Sequence, residues 1–288
     1  MNNLLITGSQ GQLGSELARL EKIFPNLTFF FTDRRSLDIT NFEDVEKFVS
    51  ENNITVIINC AAYTNVDEAE NEPISANKIN HLSVKNLAEI AKKYAIKLIH
   101  ISTDYVFDGT SKTPYLENSE TNPQNEYGNS KLKGELAIKE VNPVNSIIIR
   151  TSWLYSNYRI NFVKKILKLS KEKESISVVS DQIGSPTNAR DLAKTILQIV
   201  PLIDCGDVQL YHYSNKGNSS WFEFAQEIVL ISKMKCSVKP ILSKDFKTKA
   251  YRPTFSKLNT AKIEEEFNIL IPTWQDSLKG CIKKLNKN

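Results

Sequence analysis

Through the first half of the chain, short apolar runs alternate with stretches in which apolar residues recur every three or four positions. Residues 4–7, 27–32, 56–59, 98–102 and 147–150 are of strand length and mostly β-branched or aromatic. They carry apolar side chains on both faces, as strands of a parallel sheet covered by helices do. Between them, 12–23, 42–50, 74–94 and 127–141 show helical spacing. Thr40-x-x-Glu43 reads as a capping box opening the second helix. Strand and helix repeated in this way predict right-handed crossovers and an α/β, doubly wound parallel sheet.

The second half is less regular. It predicts helices over 162–170 and 191–200, strands over 176–180 and 210–214, and a helix after a second capping box, Ser220-x-x-Glu223. No repeat or clean linker separates the halves. A Rossmann-type domain over 1–153, completed by roughly 186–214, is therefore expected with a smaller, interwoven α/β substrate region from 154–185 and 215–288. The lysine-rich segment 279–288 reads as a solvated helix end.

Composition narrows the class. The 288 residues are 41% hydrophobic, with 37 basic against 33 acidic side chains and a net charge of +4. That is enough apolar material for a large core. It lacks the concentrated basic stripe that nucleic-acid binding needs, so no nucleic-acid partner is expected. No apolar run nears the ~20 residues that cross a bilayer, and the first residues lack a basic signal-peptide region, so no membrane partner is expected either. Cys60, Cys205, Cys236 and Cys281 are scattered, with no zinc-type spacing. Cys60, in an apolar run, reads as a small buried hydrophobe. A reducing, cytoplasmic setting and no metal are the expectation.

Three of the ten glycines fall at Gly8, Gly11 and Gly14, between the first strand and the first helix. Glycine lets backbone approach a pyrophosphate, and a helix N-terminus offers N–H groups and a positive dipole end. The G-x-x-G-x-x-G spacing thus predicts a dinucleotide site. Asp33 follows the second strand, where a carboxylate bonds the adenosine ribose and favours NADH. Arg34 and Arg35 follow it and suit the 2′-phosphate of NADPH. The two signals conflict, so either cofactor, NADPH or NADH, is expected.

Of ten tyrosines only Tyr127 has a lysine four residues on, Lys131. Both lie in a helical pattern, where that spacing shares a face. They follow the Ser102-Thr103-Asp104 strand end by about one βα unit, and carboxyl ends of parallel strands are where such sheets bind ligands. A free phenol titrates near ~10 and is a poor acid at neutral pH; an adjacent ammonium would lower that value. Thr103 would polarise a substrate carbonyl beside Tyr127.

These motifs, with 102–109 (Ser-Thr-Asp-Tyr-Val-Phe-Asp-Gly) and 127–135 (Tyr-Gly-Asn-Ser-Lys-Leu-x-Gly-Glu), resemble the extended short-chain dehydrogenase/reductase superfamily. Within it the chain is similar to the dTDP-4-dehydrorhamnose reductase family over nearly its whole length. Residues 37–40, 59–67, 150–155, Gly184-Ser185-Pro186-Thr187 and Arg252-Pro253 carry that likeness. The resemblance implies reduction of a dTDP-4-keto-6-deoxy-sugar, a small-molecule partner, by a monomer or homodimer. It implies that Gly11, Gln12, Leu13, Asp33, Asp38, Ile39, Ala62, Tyr63 and Thr64 line the cofactor. Tyr127 would donate the proton, Lys131 would hold the nicotinamide ribose and Thr103 would tune the tyrosine. Asp104 and Trp153 would contact the deoxysugar, with core packing the other reading for Trp153, and Arg252 would grip the diphosphate. The family's tail pattern is altered here, Phe255 preceding Ser256 and Asn259 following Leu258. Arg190 follows the Gly184-Ser185-Pro186-Thr187 segment where some relatives use acidic residues for magnesium. A nucleotide-sugar dehydratase or epimerase on the same fold is the other enzymatic reading; where related dehydratases place an eliminating glutamate, this chain has Tyr105, which disfavours dehydration, while another nucleotide 4-keto-sugar stays open. A non-catalytic dinucleotide-binding subunit is the alternative of a different class.

Overall fold

Alternation along each strand sends side chains to opposite faces of one sheet, and both faces are buried. The computed structural model describes residues 2–286. Strands β1 (Asn2–Thr7), β2 (Leu27–Phe31), β3 (Val56–Asn59), β4 (Lys97–Thr103) and β5 (Ile147–Thr151) pair in parallel with the edge strand Gln209–Tyr213. The spatial order is β2-β1-β3-β4-β5 and then Gln209–Tyr213. Because β2 lies to one side of β1 and β3 to the other, the chain reverses direction at β1, and the crevice there faces the strands' carboxyl ends.

Leu4, Ile6, Ile58, Ile149 and Tyr211 point to one face. They pack on α1 (Gln12–Leu20) and on Leu192 and Ile196 of the Ala189–Ile199 helix. Leu5, Ile57, Leu98 and Ile148 point to the other. There they meet α2 (Phe42–Glu51), α5 (Ser83–Lys93) and α6 (Glu126–Val141). Each such side chain is worth roughly 1.5–3 kcal/mol of transfer free energy, so the sheet faces dominate the fold's stability.

A third cluster stands apart. Tyr155, Val163, Ile176, Phe224, Ile228 and Leu278 form it, with the parallel pair Ser175–Val179 and Ser237–Ile241. The Ser220 capping box is present, with Glu223 reciprocating. At Thr40 none forms: Asn41 is the cap, accepting from Asp44 N, because the Thr40 amide instead donates to Asp38 Oδ1 at 2.9 Å. The segment expected as one helix over 74–94 is broken. Short α3 (Val66–Ala69) and α4 (Pro73–Asn77) precede a π-helical turn, Lys78–Leu82, which runs into α5. That turn carries Asn80, whose amide accepts from Tyr63 N and donates to Tyr63 O and Ser130 Oγ. The Ala261–Phe267 helix also departs from the expected division: Ile263 and Ile271 belong to the first sheet-face core rather than the third cluster.

Candidate active site

The glycine loop crosses the carboxyl end of β3. Gly8 has φ +62°, and a Cβ there would sit 2.7 Å from Ala61 N, so any side chain would both strain the turn and strike backbone. Gly11 is the N-cap of α1 and supplies no side-chain cap, while the first helical bond runs from Ser15 N to Gly11 O. The amides of Gln12, Leu13 and Gly14 therefore precede the ladder and face out of the helix end, where an anion is favoured.

A cavity of about 820 Å³ opens beside this loop. Of the residues the sequence assigned to a cofactor, Gly8, Gly11, Asp33, Arg34, Asp38, Ile39, Ala62 and Tyr63 line it. Gln12, Leu13, Gly14 and Thr64 lie outside its wall. Leu13 is a core side chain, so only its backbone faces the loop, and Gly14 packs on Ser9. Gln12 reaches the other way, donating to Leu154 O and accepting from Ser156 Oγ. Thr64 is exposed beyond β3.

Asp33 is already engaged. Its Oδ1 accepts from the Arg35 and Ser36 amides and the Ser36 hydroxyl, and Gln10 donates to Oδ2. The bond from Ser36 N leads in holding this carboxyl below its ordinary value. Asp33 thus closes its own turn, while Arg34 and Arg35 stay exposed on the cavity wall. Cys60, expected in the core, is half-buried and also lines the cavity, its thiol pushed up to about 12 by burial.

Deeper in, Thr103 ends β4 in register with Thr151 of β5. Its hydroxyl accepts from Tyr105 N and donates to Asp104 Oδ1, each at 3.2 Å. Asn125 caps α6 by accepting from Gly128 N at 2.7 Å. A Cβ on Gly128 would lie 2.2 Å from Tyr105 O, so this glycine lets α6 begin directly against the strand end. The Tyr127 and Tyr105 rings meet edge to face with centroids 5.6 Å apart. Burial pushes the Tyr127 phenol above its ordinary value, and the neighbouring Thr103 hydroxyl pulls the other way.

One turn on, Lys131 is 2% exposed. Its Nζ donates to Ile101 O at 2.6 Å and lies 3.1 Å from His100 Nε2, with no hydrogen bond to Tyr127. Burial lowers its pKa to about 8, against the pull of Glu135. The expectation that Lys131 lowers the Tyr127 pKa directly is not met, because the ammonium is turned toward β4.

Asp104 is buried, its Oδ2 has no hydrogen-bond partner among the described residues, and burial raises its pKa to about 6. Arg252 donates to Tyr105 Oη at 3.0 Å and pairs with Asp67 at 2.7 Å, which brings it to the rim of the same cluster. Trp153, at φ +46°, stacks on Trp221 with centroids 3.5 Å apart.

The model of the RmlD substrate binding domain family matches residues 1–287. A dTDP-4-dehydrorhamnose reductase of Aggregatibacter actinomycetemcomitans is 40% identical over 97% of this chain and 98% of its own. The chain belongs to the RmlD substrate binding domain family. A solved dTDP-4-dehydrorhamnose reductase of Clostridium acetobutylicum, 40% identical, superposes with a TM-score of 0.93 over 99% of both chains. One from Bacillus anthracis, solved in complex with NADP, does so at 40% identity and 0.93, over 99% of this chain and 100% of that one. A dTDP-4-keto-6-deoxy-D-glucose reductase of Streptomyces niveus is 35% identical over 98% of this chain and 97% of its own.

In this member of the family, the cavity wall also holds residues the motifs did not single out. Arg159, from beyond the Leu154–Tyr155 strand, donates from Nε to Gln10 O at 2.6 Å and so ties that segment to the glycine loop. Glu72 accepts from the Tyr63 phenol at 3.0 Å, and Lys78 and Ile79 come from the π turn. Gln10 was visible inside the glycine loop. Arg159 and Lys78 had no local signal, since only the packing of distant segments brings them to the wall.

Proposed function

We propose that this protein reduces the 4-keto group of dTDP-4-dehydro-6-deoxy-L-mannose to give dTDP-L-rhamnose, using NADPH or NADH. The observation that carries the reading is the meeting of Thr103, Tyr127 and Lys131 at the carboxyl end of β4. Cys60 joins this corner to the cofactor cavity, since it lines the cavity and lies close to Lys131. The glycine loop, whose Cβ positions backbone would fill, and the free amides of α1 suit a dinucleotide pyrophosphate. When bound, the nicotinamide supplies the hydride for C4.

This chain's own residues do the rest. Gly11 to Gly14 would cradle the pyrophosphate. Arg34 and Arg35, with Asp33 committed to its turn, favour a 2′-phosphate. Asp38, Ile39, Ala62, Tyr63 and Thr64 would flank the adenosine half. Tyr127 gives its proton to the oxygen forming at C4, and its raised pKa keeps that proton in place at neutral pH. Thr103, at the end of β4, would tune the phenol beside it. Lys131 would reach the nicotinamide ribose, Asp104 and Trp153 the deoxysugar, and Arg252 the diphosphate. We assign the sheet region, 1–153 with 186–214, to the cofactor and the lobe built on the third cluster to the sugar.

The test is Tyr127→Phe, assayed as keto-sugar-dependent loss of NADPH absorbance beside a cofactor titration. Turnover should fall by ~10²–10⁴-fold with cofactor affinity retained; near-normal kcat refutes the role. The likeness to the Streptomyces niveus enzyme favours a second reading, in which the 4-keto-sugar has D configuration, and offering each of the two keto-sugars in turn separates them.

A further inference from the structure

A buried chain of polar groups runs from β1 through β3 to β4 and ends on Lys131. Thr7 Oγ1 donates to Asn59 Oδ1 at 2.7 Å, and Ala61 N donates to the same oxygen at 3.2 Å. On its other side, Asn59 Nδ2 lies 3.0 Å from His100 Nδ1, and His100 Nε2 lies 3.1 Å from Lys131 Nζ. Thr7, Asn59, His100 and Lys131 are at most 2% exposed, so the chain is shut off from bulk water.

Its polarity follows from one donor that cannot be reversed. Ala61 N–H is backbone and only donates, so the Asn59 oxygen faces it and the Asn59 amide nitrogen faces the histidine. An amide NH₂ only donates, so His100 Nδ1 must accept. A neutral imidazole that accepts at Nδ1 carries its proton on Nε2. Nε2–H then points at Lys131 Nζ. An ammonium has three donors and no lone pair, whereas an amine accepts this bond.

We propose that His100 is the positioning residue for Lys131, aiming Nζ along β4 and favouring its uncharged amine. The proposal rests on the reading that Lys131 serves the reaction. The other groups facing Nζ are Ile101 O, the Cys60 thiol beyond β3, and Glu135 one turn on, itself paired with Arg150 of β5. The lowering of Lys131 by burial accords with this. His100, also held well below its ordinary value by burial, stays neutral throughout. Burial thus gives Lys131 a protonation change at about 8, and the chain holds its head group still. An isolated surface lysine has neither property.

The experiment uses the full-length protein and three variants, His100→Phe, His100→Gln and Lys131→Met. In cofactor-free protein with ¹⁵N-labelled imidazoles, the resonance lost in His100→Phe should report the neutral Nε2–H form from about pH 5.5 to about pH 9. An Nδ1–H form overturns the proposal. In the NADPH-linked assay, His100→Phe removes the donor facing Nζ, so the alkaline limb of the kcat profile should move upward. At about one pH unit above the wild-type limb, activity relative to each protein's maximum should be several-fold higher than wild type. His100→Gln keeps an acceptor for Asn59 and a donor for Lys131, so it should leave the limb near its wild-type position. A limb unmoved in His100→Phe, with only stability or kcat lowered, overturns the proposal in favour of plain packing. Near-normal turnover by Lys131→Met overturns the reading beneath it and leaves the tautomer result standing alone.

Discussion

Glu135 and Arg150 form an ion pair whose side chains are 1% and 2% exposed. Arg150 donates from Nε to Oε1 at 2.9 Å and from Nη2 to Oε2 at 2.6 Å, and its guanidinium lies 4.9 Å from the Phe107 ring centre. Ser102 donates to the same carboxylate. Glu135→Gln would leave a guanidinium charged and unmatched in a dry interior, which typically costs ~3–5 kcal/mol. With a urea slope of about 3 kcal/mol per molar, the unfolding midpoint should fall by about 1 to 1.7 M at unchanged slope. Arg150→Met should lose a comparable amount. The double variant Glu135→Gln/Arg150→Met strands neither charge, so it should lose less than the two single losses added together. The same carboxylate pulls the Lys131 pKa upward, so Glu135→Gln should also move the alkaline limb of kcat downward. Equilibrium urea unfolding of the four proteins checks the first part and a pH–rate profile the second. A single-variant loss below ~1 kcal/mol, or strict additivity in the double, would refute the reasoning.

Replacing Arg34 and Arg35 together with Ala should weaken NADPH binding by on the order of tenfold and NADH binding much less; fluorescence titration of each cofactor decides, and an equal effect rejects the phosphate role. Asp104, raised to about 6 by burial, loses stability for the fold as pH rises from its ordinary value of 3.8 through about 6. Asp104→Asn should therefore gain stability relative to wild type between about pH 4 and about pH 7, flat above that, and should remove the fall in keto-sugar KM expected as the carboxylate forms; parallel urea titrations at the two ends of that range show it. Trp153→Ala uncovers one face of Trp221 and should cost roughly 3 kcal/mol as well as raising the keto-sugar KM. Trp153→Phe should recover most of both, and a stability loss with unaltered KM would leave Trp153 a packing residue alone.

The sheet, its flanking helices and the two ends of the site were legible along the chain, because each rests on local repetition. Continuous apolar runs show that both faces of β1 to β5 must be buried, helical spacing shows which face of α1, α2 and α6 must be, and three glycines after a strand mark a turn that backbone must approach. The Tyr127–Lys131 spacing likewise settles that both share a face of α6. What those side chains touch was not legible, because it depends on partners tens of residues away. Lys131 turns to His100 and Ile101 rather than to Tyr127, since burial leaves an amine no water and β4 offers the nearest hydrogen-bond partners. Asp33 is taken by Ser36 and Gln10, a competition between near and distant donors that spacing cannot rank. Asn41 displaces Thr40 as a cap because Asp38 captures the Thr40 amide first. The π turn at Lys78–Leu82 is decided by Asn80, whose pairing with Tyr63 and Ser130 needs α6 already in place. Periodicity is a property of one segment and can be read from it; a hydrogen-bond partner is chosen among segments, and only the packed fold makes that choice.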